Sequence, residues 1–166
     1  MIIREVDIQD AAQLLALMLQ LDHETKFMML EPGERQTTLA QQKQTIESFH
    51  GSQSRVMLVL SDDIDLYGFV VGVGQTANRN KHSMYCVIGL KQSVAGHGYG
   101  KQLLNTLEAW ARSHDFTRIE LTVMCHNERA YRLYLSCGFE VEGVKRNSLY
   151  IDGEYVDEYY MSKLLS

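Results

Sequence analysis

The 166-residue chain is predicted to fold as α+β, a mixed, largely antiparallel central sheet with helices on both faces. Three observations predict this class. Apolar residues recur with periods of two and of about 3.6 in the order β-α-α-β-β-β-α-β-α-β-β, which is neither all helix nor a regular alternation. Turn residues join two pairs of strand-like runs: Asp62-Asp63 between 55–60 and 66–73, and Asp152-Gly153 between 139–146 and 155–164. The length suits one domain, spanning 1–166, with enough residues for a proper core.

Taken in order, residues 2–6 read as a short strand. Asp7 or Asp10 can cap the helix after it, whose apolar face is Ala11, Leu14, Leu15, Met18 and Leu21. The stretch from Asp22 to Leu30 has no clean period, and Pro32-Gly33 breaks it. Residues 34–49 are polar but free of breakers and read as a second helix. The 55–60/66–73 hairpin comes next, then a strand over 84–90. From Gly98 the pattern is helical, burying Leu103, Leu104, Leu107 and Trp110 or Ala111. Residues 116–124 form a strand with Ile119, Leu121 and Val123 on one face and Arg118, Glu120 and Thr122 on the other. A helix carrying Ala130, Leu133, Tyr134 and Cys137 stops at Gly138, a C-cap, before the two closing strands.

Composition excludes several function classes. A formal charge of −5 argues against non-specific nucleic-acid binding, which needs a basic face. Cys86, Cys125 and Cys137 are odd in number and lack CxxC spacing. That disfavours a disulfide framework or a zinc site and fits reduced thiols in a cytoplasmic protein, with no metal expected. The amino terminus lacks signal-peptide architecture, and no apolar run approaches membrane-spanning length, so no membrane partner is expected.

The chemistry centres on Gly96-His97-Gly98-Tyr99-Gly100-Lys101, between the apolar run 84–90 and the periodic run 103–111. Alternate glycines let a backbone turn tightly and expose successive N–H groups. A strand feeding such a loop, which then opens a helix, makes a site for anionic oxygens, because the helix dipole adds positive potential. The dinucleotide fingerprint fails, since its third glycine slot is Lys101. The P-loop also fails: Lys101 is followed by Gln102, and the earlier glycine slot is Ala95.

A second pattern lies about one strand downstream: Asn127-x-x-Ala130-x-x-x-Tyr134-x-x-x-Gly138-Phe139. Together with Gly98-x-Gly100 after an extended segment, and with the closing stretch Asp152-Gly153-Glu154-Tyr155 and Asp157-Glu158-Tyr159, it resembles the bacterial type of the GNAT superfamily of N-acetyltransferases. The likeness covers roughly residues 55–165. It implies acetyl-CoA as cosubstrate and transfer of the acetyl group to a primary amine. The acceptor would be a small cationic amine, an amino acid or a protein amino terminus. The surplus of acidic residues, including Asp152, Glu154, Asp157 and Glu158, tilts the choice towards a cationic small molecule.

The resemblance also implies roles for residues. The cofactor-binding loop is Ala95, Gly96, His97, Gly98, Tyr99, Gly100 and Lys101, with backbone N–H groups of 96–100 holding the pyrophosphate. The strand at Ile88, Gly89 and Leu90 splays from its neighbour and offers backbone groups to the pantetheine amides, and an N–H near Leu90 meets the developing oxyanion. Asn127 contacts the pantetheine arm, and Tyr134 is the catalytic general acid for the departing thiolate. Seven helical residues set these two about 10 Å apart along the axis, so they serve different points of an extended arm. The first two helices and their connection, with Asp22 to Leu30, wall the acceptor side.

This chain departs from the family pattern in two places. Ala95 stands where many members carry Arg or Gln, leaving Lys91, Gln92 and Lys101 as compensating side chains. Met84 occupies the strand position that often holds a glutamate base, and Thr122 occupies another such position. The base is unassigned, with Glu120, His82, Tyr85, His126 and Glu24 as candidates. A non-catalytic acyl-CoA-binding or sensing module is the alternative reading. The resemblance allows a homodimer through sheet edges or closing strands, a state the residues themselves leave open.

Overall fold

In a computed structural model describing residues 1–165, one sheet orders its seven strands β1-β2-β3-β4-β5-β7-β6. The strands are β1 (Ile2–Glu5), β2 (Arg55–Ser61), β3 (Leu66–Gly74), β4 (Ser83–Leu90), β5 (Arg118–Met124), β6 (Glu140–Ile151) and β7 (Glu154–Leu164). Helices α1 (Ala11–Glu24), α2 (Leu39–Glu47), α3 (Tyr99–Ser113) and α4 (Glu128–Ser136) lie between them in sequence. Pairs β1–β2, β2–β3, β5–β7 and β6–β7 are antiparallel, and β4–β5 is parallel. The sheet is therefore mixed and mostly antiparallel, as expected. The packing divides into two units, Met1–Val73 with Val87–Leu107, and Gly74–Cys86 with Glu108 onward.

The first unit is built around α1. A 3₁₀ turn, Ile8–Asp10, leads into it and is capped by reciprocal bonds between Asp7 and Asp10, and Asp10 also accepts from both terminal guanidinium nitrogens of Arg4 at 2.7 and 2.8 Å. Ala11, Leu14, Leu17, Met18 and Leu21 pack with Ile46, Phe49, Met57, Val59, Leu66 and Phe69. Leu17 replaces the expected Leu15, which is only half-buried. A stripe wider than one i, i+4 row lets Leu17 share the face of Leu14 and Leu21.

The second helix is shorter than the sequence suggests. It starts at Leu39 rather than residue 34, because Thr38 and Gln41 form a capping box and Arg35 is drawn to buried Asp22 at 2.8 Å. Residues 34–38 are thereby held as a connection, and the helix ends at Glu47.

In the second unit β5 alternates as expected, with Ile119, Leu121 and Val123 buried and Arg118, Glu120 and Thr122 half-buried. Ala111, not Trp110, is the fully buried residue at the end of α3. Gly138 takes φ +92° and closes α4, its N–H donating to Leu135 O and that of Phe139 to Tyr134 O. Strand β6 runs to Ile151, five residues beyond the expected end. Asp152 and Gly153 both have positive φ, so a two-residue turn pairs Ile151 with Glu154.

Candidate functional site

The glycine loop lies in the first unit. Gly96 and Gly98 adopt φ +80° and +83°, a region that side chains with a Cβ rarely enter. A Cβ at Gly98 would meet nothing within 4 Å, so conformation rather than crowding requires glycine there. Among the described residues, no N–H from 96 to 101 donates to a protein acceptor, and the first that does is Gln102, to Gly98 O at 3.1 Å. Six consecutive donors are thus left for solvent or a ligand at the amino terminus of a fifteen-residue helix. These are the donors that an anion cradle made of backbone would need. His97 Nδ1 lies 3.0 Å from Ala95 O and 3.3 Å from Val94 O. Carbonyls only accept, so Nδ1 carries the proton and Nε2 is the free nitrogen.

Upstream, the strand end that leads to the cradle is tightly packed. A Cβ at Gly89 would lie 2.6 Å from Phe69 Cε1 and 3.0 Å from Leu21 Cδ1. One at Gly68 would lie 2.5 Å from Leu90 Cδ2 and 2.9 Å from Gly89 O. Both glycines are needed for close approach. Ile88, Gly89 and Leu90 are half-buried. Of the side chains expected to compensate for Ala95, Lys91 lies over the Tyr67 ring at 5.1 Å and Gln92 Nε2 donates to Glu24 O at 3.1 Å. Lys101 is exposed.

The second motif lies in the second unit. Asn127 is the N-cap of α4, its Oδ1 accepting from Ala130 N at 3.3 Å, which orients the amide without consuming its N–H groups. Tyr134 is 7% exposed, its ring 5.9 Å from that of Phe139. Burial, then neighbouring Cys86, Tyr85 and Cys137, push its pKa above the usual phenol value. The Cys86 thiol is itself pushed up to about 12 by burial. The parallel ladder of β4 and β5 registers only 83–85 with 118–120.

Met84 is fully buried. Glu120 pairs with Arg118 at 2.9 Å, and the Tyr85 hydroxyl and Thr122 Oγ1 share a hydrogen bond of 2.9 Å. Glu24 accepts from Gln92 N at 2.9 Å and from Gln20 Nε2. His82 and His126 are exposed. Among the described residues, no group of three or more His, Cys, Asp or Glu side chains could hold a metal ion, and no helix is long and apolar enough to cross a membrane.

Local patterns could not reveal Gly68, Cys86 or the Glu24–Gln92 contact as parts of these sites, because each depends on long-range placement. A glycine inside the β-run 66–73 was the one visible signal.

The model of the acetyltransferase (GNAT) family matches residues 17–139, a range containing both the cradle and Tyr134. The chain is 38% identical over 64 residues to the L-amino acid N-acetyltransferase AaaT of Escherichia coli (strain K12). That match takes in 39% of this chain and spans 38% of the relative's length. Among solved structures, an acetyltransferase of the GNAT family from Streptococcus pneumoniae superposes with TM-score 0.94 at 28% identity, covering 98% of each chain. The GNAT superfamily phosphinothricin acetyltransferase (Pat) from Sinorhizobium meliloti, solved in complex with acetyl-CoA, shares the fold. Its TM-score is 0.86 at 16% identity, covering 99% of this chain and 88% of that one. The family match spans both motifs and most of the sequence, and the chain belongs to the acetyltransferase (GNAT) family.

Proposed function

We propose that the chain, acting as one domain, transfers the acetyl group of acetyl-CoA to a primary amine, by direct attack of the neutral amine on the thioester. The observation that carries this reading is the run of unpartnered N–H groups over 96–101 at the start of α3. Such a run suits a pyrophosphate better than a metal or a sugar, because its only offering is donors and a positive dipole end. The acetyl-CoA in the Pat neighbour supports the choice of cosubstrate.

Each residue then has a task. The cradle neutralises the pyrophosphate, and Ile88, Gly89 and Leu90 offer backbone groups to the pantetheine arm, with an N–H near Leu90 meeting the oxyanion. The Asn127 amide nitrogen, which its capping role leaves available, contacts the arm as well. As the C–N bond forms and the C–S bond breaks, the amine loses a proton and the sulfur gains one. Tyr134 serves the sulfur. Its raised pKa keeps the phenol protonated, so it acts as a donor and not as a base. The amine's proton passes to solvent, since Met84 offers no acceptor and Glu120 is held by Arg118, and solvent returns a proton to Tyr134 to close the cycle.

For the acceptor, the AaaT relative's name supports an amino acid. The acidic surplus near the closing hairpin argues less for a cation than its count suggests. Glu158 is buried against Ser148 Oγ at 2.8 Å, and Asp157 accepts from Asn147 N at 2.7 Å.

Thiol release from acetyl-CoA across a panel of amines tests the reading, with amine-dependent release expected. The buried Met84 also favours a second reading, a non-catalytic acyl-CoA-binding module. Saturable acetyl-CoA binding with no thiol released by any amine would select it.

A further inference from the structure

We infer that Glu24, the last residue of α1, is a positioning residue that fixes the anion cradle, so that affinity for a pyrophosphate ligand is set by a helix 68 residues away in sequence. The inference rests on the acetyl-CoA reading for its ligand, but not for its geometry.

Two contacts join Glu24 to one residue. Its Oε2 accepts from the backbone N–H of Gln92 at 2.9 Å, and its carbonyl accepts from Gln92 Nε2 at 3.1 Å. The other carboxylate oxygen accepts from Gln20 Nε2 at 2.5 Å, one turn earlier, which fixes the side chain's direction. A carboxylate at a helix carboxy terminus faces the negative end of the dipole and is disfavoured there unless donors compensate. Here both oxygens have donors, and one donor is the backbone of another segment.

Gln92 is a point of control because the cradle begins a few residues downstream of it. Lys91 is pinned by its N–H to Tyr67 O at 2.9 Å, and Gln92 by Glu24. Gln92 then starts the short 3₁₀ turn Gln92–Val94, in which Ala95 N donates to Gln92 O at 3.1 Å. Beyond it, residues 96–101 make no backbone N–H bond to protein. The cradle is thus held at its upstream end by Lys91 and Gln92, and downstream by α3. Releasing Gln92 leaves six donors free to point in many directions, and a ligand must then bear the cost of ordering them.

The same turn of α1 holds the connection before α2, because Asp22, 1% exposed, takes both Nε and an Nη of Arg35. This rigid base makes Glu24 a firm anchor.

The test uses the full chain, with Glu24→Ala, Glu24→Gln and Gln92→Pro. The glutamine keeps an acceptor oxygen. The proline deletes the N–H that Glu24 accepts, and Lys91 already has the extended backbone (φ −60°, ψ 143°) that a following proline requires. Hydrogen exchange of the ligand-free proteins reads the anchor, and acetyl-CoA titration reads its consequence. In Glu24→Ala the Gln92 amide should exchange faster, and acetyl-CoA should bind about tenfold more weakly, as for loss of one charge-assisted hydrogen bond. KM for acetyl-CoA should rise by a similar factor. Glu24→Gln should recover most of the affinity, and Gln92→Pro should behave like Glu24→Ala.

Unchanged Gln92 exchange with unchanged affinity in Glu24→Ala overturns the inference, as does a Gln92→Pro chain that binds normally. If the parent chain binds no acetyl-CoA, the acetyl-CoA reading fails. The exchange data still decide whether Glu24 holds the loop.

Discussion

Tyr134 and two glycines show how one residue's environment sets its chemistry. A buried phenol with its pKa pushed up keeps its proton well above neutral pH. Tyr134→Phe keeps the ring against Phe139, so acetyl-CoA affinity should barely change. The account predicts a fall in kcat of ~10²–10⁴-fold with KM for acetyl-CoA nearly unchanged. The parent's rate should rise with pH as the amine deprotonates and show no falling limb from Tyr134 near pH 10, the ordinary phenol value. Steady-state kinetics across pH check both. Gly89 and Gly98 are the same residue for different reasons. Gly89→Ala forces a carbon 2.6 Å from Phe69 Cε1 and should destabilise by ~1–3 kcal/mol, read as a lower Tm. Gly98→Val meets no neighbour but must hold φ +83°, so it should stay folded and lose acetyl-CoA. The spacing of the loop glycines was legible in the sequence, because φ > 0 needs are local. The demand at Gly68 and Gly89 was not, since it arises where two strands approach.

Elements were legible where a period or a turn dipeptide defined them, as in β5 and the Asp152-Gly153 hairpin. The amino terminus of α2 is not legible in the sequence, because the polar residues 34–38 contain no breaker, while a salt bridge to Asp22 and a capping box decide the boundary. Thr38→Ala should therefore cost ~1 kcal/mol, measured by denaturant unfolding. Pairing across the closing strands is equally non-local. Arg118 on β5 reaches Glu142 on β6, which lies beyond β7 in the sheet order, at 2.6 Å, and holds the Glu142 carboxyl down at about 2. A lowered carboxyl pKa stabilises the fold above the unfolded value, and that stability is lost as pH falls from about 4.5 to about 2. Because Glu142 is 44% exposed, the contribution should stay below ~1 kcal/mol. Acid titration of stability for the parent and Glu142→Gln should show curves that differ at neutral pH and converge towards pH 2.

For the whole chain, the order of elements and the two motifs were enough to name the family, since each motif needs residues at fixed spacing within one strand–loop–helix unit. The donor count of the cradle and the fate of each candidate base were beyond reach, because they depend on which backbone groups find partners elsewhere. A chain of net charge −5 that captures a polyanion must do so through local dipoles at close range and not through its overall field. The central claim is that the 96–101 cradle binds acetyl-CoA. Isothermal titration of acetyl-CoA into the full chain, with Gly98→Val alongside, tests it most directly. The account predicts saturable one-site binding by the parent, with about 2.7 kcal/mol of added stability at a hundredfold excess over Kd, and none by the variant. A folded parent chain that gives no binding heat at millimolar acetyl-CoA, or a Gly98→Val chain that binds as tightly as the parent, would contradict it.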